Sequence, residues 1–195
     1  MNNYQKHLNQ IKQLKGRPSL LIHICCGVCS VYPLVYLRQY FDITIYFSNS
    51  NIYPYEEFLK RLDALNQYLA HLNDSNIKLI VGPYDNESYT NKLKPYKDEP
   101  EGQNRCKLCY RLRMKETFIY AKKHNYDYCT TVMSISNRKN ADYINEIGED
   151  LQNKYNVKYL YADLKKGNGL AINDKLNKEL NLYHQNYCGC IYSMQ

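Results

Sequence analysis

Seven of the eight cysteines in this chain fall into three groups: Cys25-Cys26-Gly27-Val28-Cys29, Cys106-Lys107-Leu108-Cys109 and Cys188-Gly189-Cys190. Near the start of a helix, residues three apart share a face. Cys106 and Cys109 can therefore grip one metal, and the helix N-terminus favours their negative charge. A CxxC of this kind fits half of a zinc site, half of an iron–sulfur site, or a dithiol. The vicinal pair Cys25-Cys26 is uncommon as plain packing, although cysteine also behaves as a small hydrophobe. With Cys106 and Cys109 it supplies the thiolate count of a 4Fe-4S cluster or of a structural zinc. Placement at a strand end, where active sites are built, favours the redox cofactor over a closed, redox-silent zinc. In Cys188-Gly189-Cys190 a disulfide would close a very short, strained ring, and strained disulfides are the labile, catalytic kind. A metal-ligand pair and an inert tail are the other readings. Cys29 has three open roles: ligand of a second metal, reserve ligand of the cluster, or lining of the turn. Cys129, within a strand, reads as a buried residue without a chemical role. His23 reads as a hydrogen-bonded core histidine, because a metal role needs partners nearby.

These groups need elements that bring them together. The short apolar run 20–24 predicts a buried strand ending at Cys25-Cys26, with Gly27 permitting the break that lets both thiols serve one site. Residues 3–15 predict an amphipathic helix or arm. A helix over 30–39 follows, with Ser30 as its N-cap and Pro33 tolerated in the first turn. Strands are predicted at 43–47, 77–81, 127–133 and 157–161. Helices are predicted at 54–72, 87–94, from Cys106 to about Lys123, at 141–155 and at 170–180. The apolar stripe of 54–72 runs through Phe58, Leu59, Leu62, Leu65, Leu69 and Leu72. That of the Cys106 helix includes Leu108, Leu112, Met114, Phe118 and Ile119. Alternating strands and helices predict a three-layer α/β fold, with a mostly parallel sheet and right-handed crossovers. The chain reads as one α/β domain over 1–195, comprising an N-terminal arm or helix over 1–17, an irregular insertion over 84–105 and a C-terminal redox tail over 181–195.

A chain of 195 residues with 44% apolar and 23% charged content suits a soluble globular protein large enough to bury a core. No apolar run approaches a membrane span, and the polar start, Met1 to Arg17, lacks the pattern of a signal peptide. A cytoplasmic location without membrane contact is the expectation. In a reducing compartment, clustered cysteines point to metal or redox chemistry rather than to a disulfide framework. The net charge of +7 favours an acidic partner, nucleic acid first, against the alternative of a lysine-rich solvated surface. The 22 tyrosines can stack on bases, although an AT-rich genome also raises their frequency.

Four phrases taken jointly carry a resemblance. They are Leu21-Ile-His-Ile-Cys-Cys-Gly-Val-Cys29, Tyr46-Phe-Ser-Asn-Ser-Asn-Ile-Tyr-Pro-Tyr-Glu-Glu-Phe58, Glu101-Gly-Gln-Asn-Arg-Cys-Lys-Leu-Cys-Tyr-Arg-Leu-Arg113 and Tyr187-Cys-Gly-Cys-Ile-Tyr192. Over about residues 20 to 192 the chain resembles the cobalamin-independent epoxyqueuosine reductases of the QueH type. The resemblance implies a fold similar to the adenine-nucleotide hydrolase-like (HUP-like) α/β group, with a cysteine-rich insertion. It implies reduction of epoxyqueuosine to queuosine at the wobble position of tRNAs for Asp, Asn, His and Tyr. It implies a 4Fe-4S cluster on Cys25, Cys26, Cys106 and Cys109, a redox pair Cys188 and Cys190, and a second metal, a mononuclear iron, with Cys29 as its possible ligand. The substrate partner is then a tRNA anticodon stem-loop, and an electron donor that the sequence does not identify is also required. Cobalamin is not implied. ATP use is not expected, since Cys-Cys-Gly-Val-Cys stands where relatives of the fold carry a phosphate loop.

Turning an epoxide into an alkene with loss of water takes two electrons and two protons, which a dithiol can hold. A Lewis-acidic metal would make the epoxide oxygen a better leaving group. Asp85 and Tyr110 are proton-donor candidates by position alone. For the anticodon loop, the expected contacts are Asn49, Asn51 and Tyr53 on the modified base, and Arg105, Lys107, Arg111, Arg113, Arg138 and Lys139 along the phosphates. Lys115, Lys122 and Lys123 read as a solvated helix face. Two other classes remain: a cluster-free thiol–disulfide oxidoreductase and a zinc-stabilised tRNA-binding module.

Overall fold

A computed structural model describes residues 1–194. Among them, strands Ser19–His23 (β1), Asp42–Phe47 (β2), Lys78–Val81 (β3), Tyr128–Thr131 (β4) and Lys158–Tyr159 (β5) form a sheet in the order β3-β2-β1-β4-β5. Every pairing is parallel. The helices are α1 (Asn3–Lys12), α2 (Val31–Leu37), α3 (Tyr55–Leu72), α4 (Asn86–Leu93), α5 (Asn104–Lys123), α6 (Ala141–Tyr155) and α7 (Gly169–Leu180). This is the expected three-layer parallel α/β architecture.

β1 is central, and its apolar residues divide by the two-residue period of a strand. Leu20 and Ile22 join one core, with Val31, Leu34, Phe58 and Leu65 from α2 and α3. Leu21 joins a second core, with Met114, Phe118, Ile144 and Leu151 from α5 and α6. Each of these strand residues is fully buried, which stabilises the fold by about 1.5–3 kcal/mol per side chain. His23 also lies inside, and its Nδ1 pairs with Thr131 Oγ1 at 2.9 Å.

The order places β1 between β2 and β4, so the chain leaves β1 to one side and returns from β3 to the other by way of α4 and α5. Such a switch point opens a crevice at the carboxyl ends of the strands. The Cys25–Cys29 turn sits at that point. The far border of the sheet, β5, is covered by α1: Gln10 Nε2 donates to Tyr159 O at 2.8 Å, and Tyr161 N donates to Gln10 Oε1 at 2.9 Å. With Tyr159 N donating to Gln152 Oε1 at 2.7 Å, side-chain amides from α1 and α6 satisfy the groups that this edge strand leaves open.

Several local expectations change. Ser30 makes no side-chain cap to α2; its Oγ turns back to Gly27 O at 2.6 Å and closes the cysteine turn instead. Gly27 does not adopt a left-handed conformation. It is required because a Cβ there would lie 2.6 Å from Ala64 O on α3, so the turn packs directly on helix backbone. Leu59 and Ile119 face solvent rather than the core. β4 and β5 are shorter than predicted, and Val132–Ile135 tightens into a 3₁₀ turn. α5 begins at Asn104, so Cys106 lies within its first turn rather than opening it. Within 84–105, α4 falls where the helix over 87–94 is expected, and a 3₁₀ turn at Lys94–Tyr96 extends it.

Candidate metal and redox site

The turn after β1 draws three sulfurs into a knot. Cys25 Sγ and Cys26 Sγ are 3.7 Å apart, and Cys26 Sγ and Cys29 Sγ 2.7 Å. All three sulfurs lie within 4.8 Å of one another, and all three residues are buried. A tetrahedral metal with bonds of about 2.3 Å spaces its sulfurs roughly 3.8 Å apart. The first pair already has that spacing, and the second would open by about 1 Å around an ion. The donor set is therefore chemically and geometrically suited to a thiophilic metal. Cys29, whose role the sequence leaves open, is an equal member of the knot.

Charge is distributed unevenly within it. Hydrogen bonds from the Cys26 and Cys29 thiols hold Cys25 well below its ordinary pKa, helped by the nearby Arg113 and Lys139. Burial pushes Cys26 up to about 12. Hydrogen bonding to Cys25 and Cys26 pushes Cys29 up as well. Of the three, Cys25 is the thiol most disposed to lose its proton, and a buried site keeps negative charge only with cations close by.

Those cations come from α5 and from the loop after β4. Arg113 is 2% exposed, and burial works against its charge, but Cys109 and Cys25 more than offset this. Its Nη2 donates to Asn49 Oδ1 at 3.1 Å, and its Nε has no partner. Asn49 Nδ2 in turn donates to Ile24 O at 2.8 Å, which fixes the end of β1. Lys139 is half-buried at the cleft; burial opposes its charge, but its sulfur neighbours, Cys25 among them, more than offset this and its pKa is raised.

Cys106 and Cys109 stand outside the three-sulfur knot. Cys106 Sγ accepts from Gly102 N at 3.2 Å. Cys109 is buried, which raises its pKa to about 11, and Tyr89 OH reaches its Sγ at 3.3 Å and its carbonyl at 2.8 Å. A cleft of about 730 Å³ opens beside the knot, and Cys25, Cys29 and Cys188 share its lining with Arg113, Arg138 and Lys139. The tail thereby brings Cys188 to the cleft that the Cys25–Cys29 turn borders. Cys129 is buried in β4, and burial raises its pKa.

The expected anticodon contacts separate into surface and interior residues. Arg138 is exposed at the cleft, and Tyr53 is exposed near it. Arg111 is exposed but paired with Asp150 at 2.6 Å. Asn49, Asn51, Arg105 and Arg113 are buried. Arg105 spends its guanidinium on the carbonyls of Tyr96, Lys97 and Glu99, holding the loop before α5. Asp85 caps α4 through Ser88 N at 3.1 Å and does not line the cleft, and Tyr110 is buried. Sequence reasoning passed over Glu57, Arg61 and Tyr89. The i,i+4 spacing of Glu57 and Arg61 was visible, but a solvated helix pair has the same spacing.

The family described as "Epoxyqueuosine reductase QueH" matches residues 20–195. Among curated proteins, Epoxyqueuosine reductase QueH of Staphylococcus aureus strain Mu50 is 38% identical, over 97% of this chain and 81% of its own length. That of Streptococcus pyogenes serotype M1 is 36% identical over 98% and 78%, and that of Thermotoga maritima 33% identical over 90% of each. A solved structure of NMN synthetase from Francisella tularensis covers 95% of this chain and 98% of its own. Its TM-score of 0.39 and identity of 11% are too low to carry any inference. With the sequence matched over nearly its whole length, the chain belongs to the epoxyqueuosine reductase QueH family.

Proposed function

We propose that this chain reduces epoxyqueuosine to queuosine at the wobble position of tRNAs for Asp, Asn, His and Tyr. The observation that carries the reading is Cys188 opening into the same cleft as Cys25 and Cys29, so that one thiol of the expected redox pair and the metal-binding knot face one volume. In this reading Cys25, Cys26, Cys106 and Cys109 hold a 4Fe-4S cluster, and Cys29 serves a mononuclear iron beside it. When bound, these groups supply single-electron transfer and a Lewis acid for the epoxide oxygen.

The chain's own residues supply the rest. The thiols of Cys188 and Cys190 give up two electrons and two protons as their sulfurs join. The epoxide loses its oxygen as water, and its two carbons become an alkene, so that atoms and charge balance. An external donor then returns the pair to dithiol. Arg113 and Lys139 keep negative charge on sulfur tolerable in a buried site. Arg138 and Tyr53 remain exposed for the anticodon loop.

The test is an anaerobic incubation of reduced, iron-reconstituted protein with anticodon stem-loop RNA carrying epoxyqueuosine, read by nucleoside mass spectrometry. Queuosine is the expected product. An epoxide left intact by fully loaded, reduced protein sinks the reading.

A further inference from the structure

The Cys188-Gly189-Cys190 segment lies in a tail without strand or α-helix, yet its backbone is tied down at closely spaced points. Arg61, on α3, is 2% exposed and uses three nitrogens at once. Nε donates to Glu57 Oε1 at 2.7 Å, Nη1 to Cys188 O at 2.9 Å and Nη2 to Tyr187 O at 3.1 Å. The Tyr187 ring sits with its centroid 5.3 Å from the guanidinium carbon. Glu57 is shared in turn: its other oxygen accepts from Tyr183 OH at 2.7 Å. On the far side, Tyr53 N donates to Gly189 O at 2.8 Å, and Tyr187 OH donates to Tyr53 O. Gly189 has φ +124°, and a Cβ on it would stand 2.9 Å from Arg61 Nη1 and 3.3 Å from Ile52 Cγ1.

A guanidinium fork has fixed geometry, so two carbonyls bound to it are fixed relative to each other and to α3. The carbonyls held here belong to one of the paired cysteines and to the residue before it. An arginine that only packed the helix would need no such partners, and a tail that only covered the core would not need a glycine in left-handed backbone against that arginine.

We propose that Arg61, oriented by Glu57, is the positioning residue that fixes the Cys188-Gly189-Cys190 backbone so that its two thiols close on each other. The inference rests on the reading of Cys188 and Cys190 as the redox pair. It assigns to a helix residue that borders the same cleft, and that touches the pair through its backbone carbonyls, the task of setting the distance over which that pair closes. The closure itself is balanced: two thiols lose two protons and two electrons, one S–S bond forms, and an oxidant takes up both pairs.

The test uses the full-length, metal-free, reduced chain and diamide, whose N=N bond accepts the two electrons and two protons. Peptide mass spectrometry follows the Cys188–Cys190 disulfide with time, and alkylation of buried Cys129 reports folding. Arg61→Gln is expected to slow closure by about tenfold to 100-fold while Cys129 stays protected, because small misplacements of reacting groups cost that much. Arg61→Lys, which keeps the charge but not the fork, should recover part of the rate. Closure of Arg61→Gln at the wild-type rate overturns the proposal. If Arg61→Gln exposes Cys129, Gly189→Ala and Tyr183→Phe carry the test, since they loosen the same anchor without leaving a buried charge unpaired. Slowed closure in both supports the proposal, and wild-type rates in both overturn it. Absence of any Cys188–Cys190 disulfide in the wild type would instead sink the redox assignment, and this inference with it.

Discussion

Arg113 on α5 donates to the amide oxygen of Asn49, 3.1 Å away at the carboxyl end of β2, and among the described residues it has no carboxylate within ion-pair distance. A buried guanidinium without an acid needs another anion, because an unpaired internal charge costs several kcal/mol, on the order of 3–5. The sulfurs fill that role. Arg113→Met is therefore expected to lower the affinity of the purified protein for iron or zinc by about 10–100-fold, as loss of an outer-shell partner does. Arg113→Lys should retain most of it. Metal content after dialysis against a graded chelator measures the effect, and unchanged retention in Arg113→Met would refute it.

The division of labour among the cysteines predicts different colours for different variants. Cys106→Ala should leave anaerobically reconstituted protein pale, with the broad absorbance of iron–sulfur thiolates near roughly 400 nm lost or strongly reduced. Cys190→Ala should keep the colour and lose turnover. The reverse pattern would exchange the two assignments.

Gly27 tests how closely the cysteine turn is packed. Replacing it with alanine drives a methyl into the Ala64 carbonyl, a backbone atom that cannot swing aside. Gly27→Ala should destabilise the metal-free chain by about 1–3 kcal/mol, seen as a lower urea midpoint. A midpoint equal to that of the wild type would show that turn and helix separate freely.

His7 carries a pH dependence away from the sulfurs. Its Nδ1–H donates to Tyr161 O at 2.7 Å, and its Nε2 accepts from Tyr36 OH at 3.1 Å, which is the neutral imidazole's pattern. Burial lowers its pKa below the ordinary value of 6.5. The unfolded chain therefore binds the extra proton first. The stabilisation is complete above about pH 6.5 and is lost as the pH falls from there towards the folded value. Asp127, held low by Ser19 Oγ and N, contributes only further down: its stabilisation is present above the ordinary carboxylate range and is lost at more acidic pH. Urea midpoints should therefore decline between pH 6.5 and 5, by up to about 1.4 kcal/mol per pH unit from this one group. His7→Gln should reduce that slope without abolishing it, because His23, whose pKa burial and the nearby Arg113 lower to about 3, contributes over the same range. An unchanged slope in the variant would remove His7 as its source.

Periodicity revealed most of the architecture, because strand and helix repeats are written directly in residues such as Leu20–Ile22 and Phe58–Leu65. The cysteine groups likewise announced themselves by spacing. What stayed hidden depended on who meets whom across the fold. Arg105 and Arg113 read as surface cations beside a CxxC, yet both are buried, because helix α5 turns those positions towards carbonyls and sulfurs rather than solvent. Asn49 and Asn51 read as contacts for a base, and the chain uses Asn49 to fasten a strand end. The role of Gly27 was visible in outline but not in cause, since nothing local indicates that Ala64, far along the chain, will lie against it.

The amide of Gln10 has a consequence beyond the chemistry. Together with Gln152, which takes Tyr159 N, it leaves that border with little to offer a second sheet. The opposite border, β3, is short, with Lys78 and Val81 both exposed at its ends. Under heat or crowding, strand-to-strand aggregation of this protein should start from the β3 side. The charge at Lys78 is the gatekeeper that a solubility-minded redesign ought to preserve.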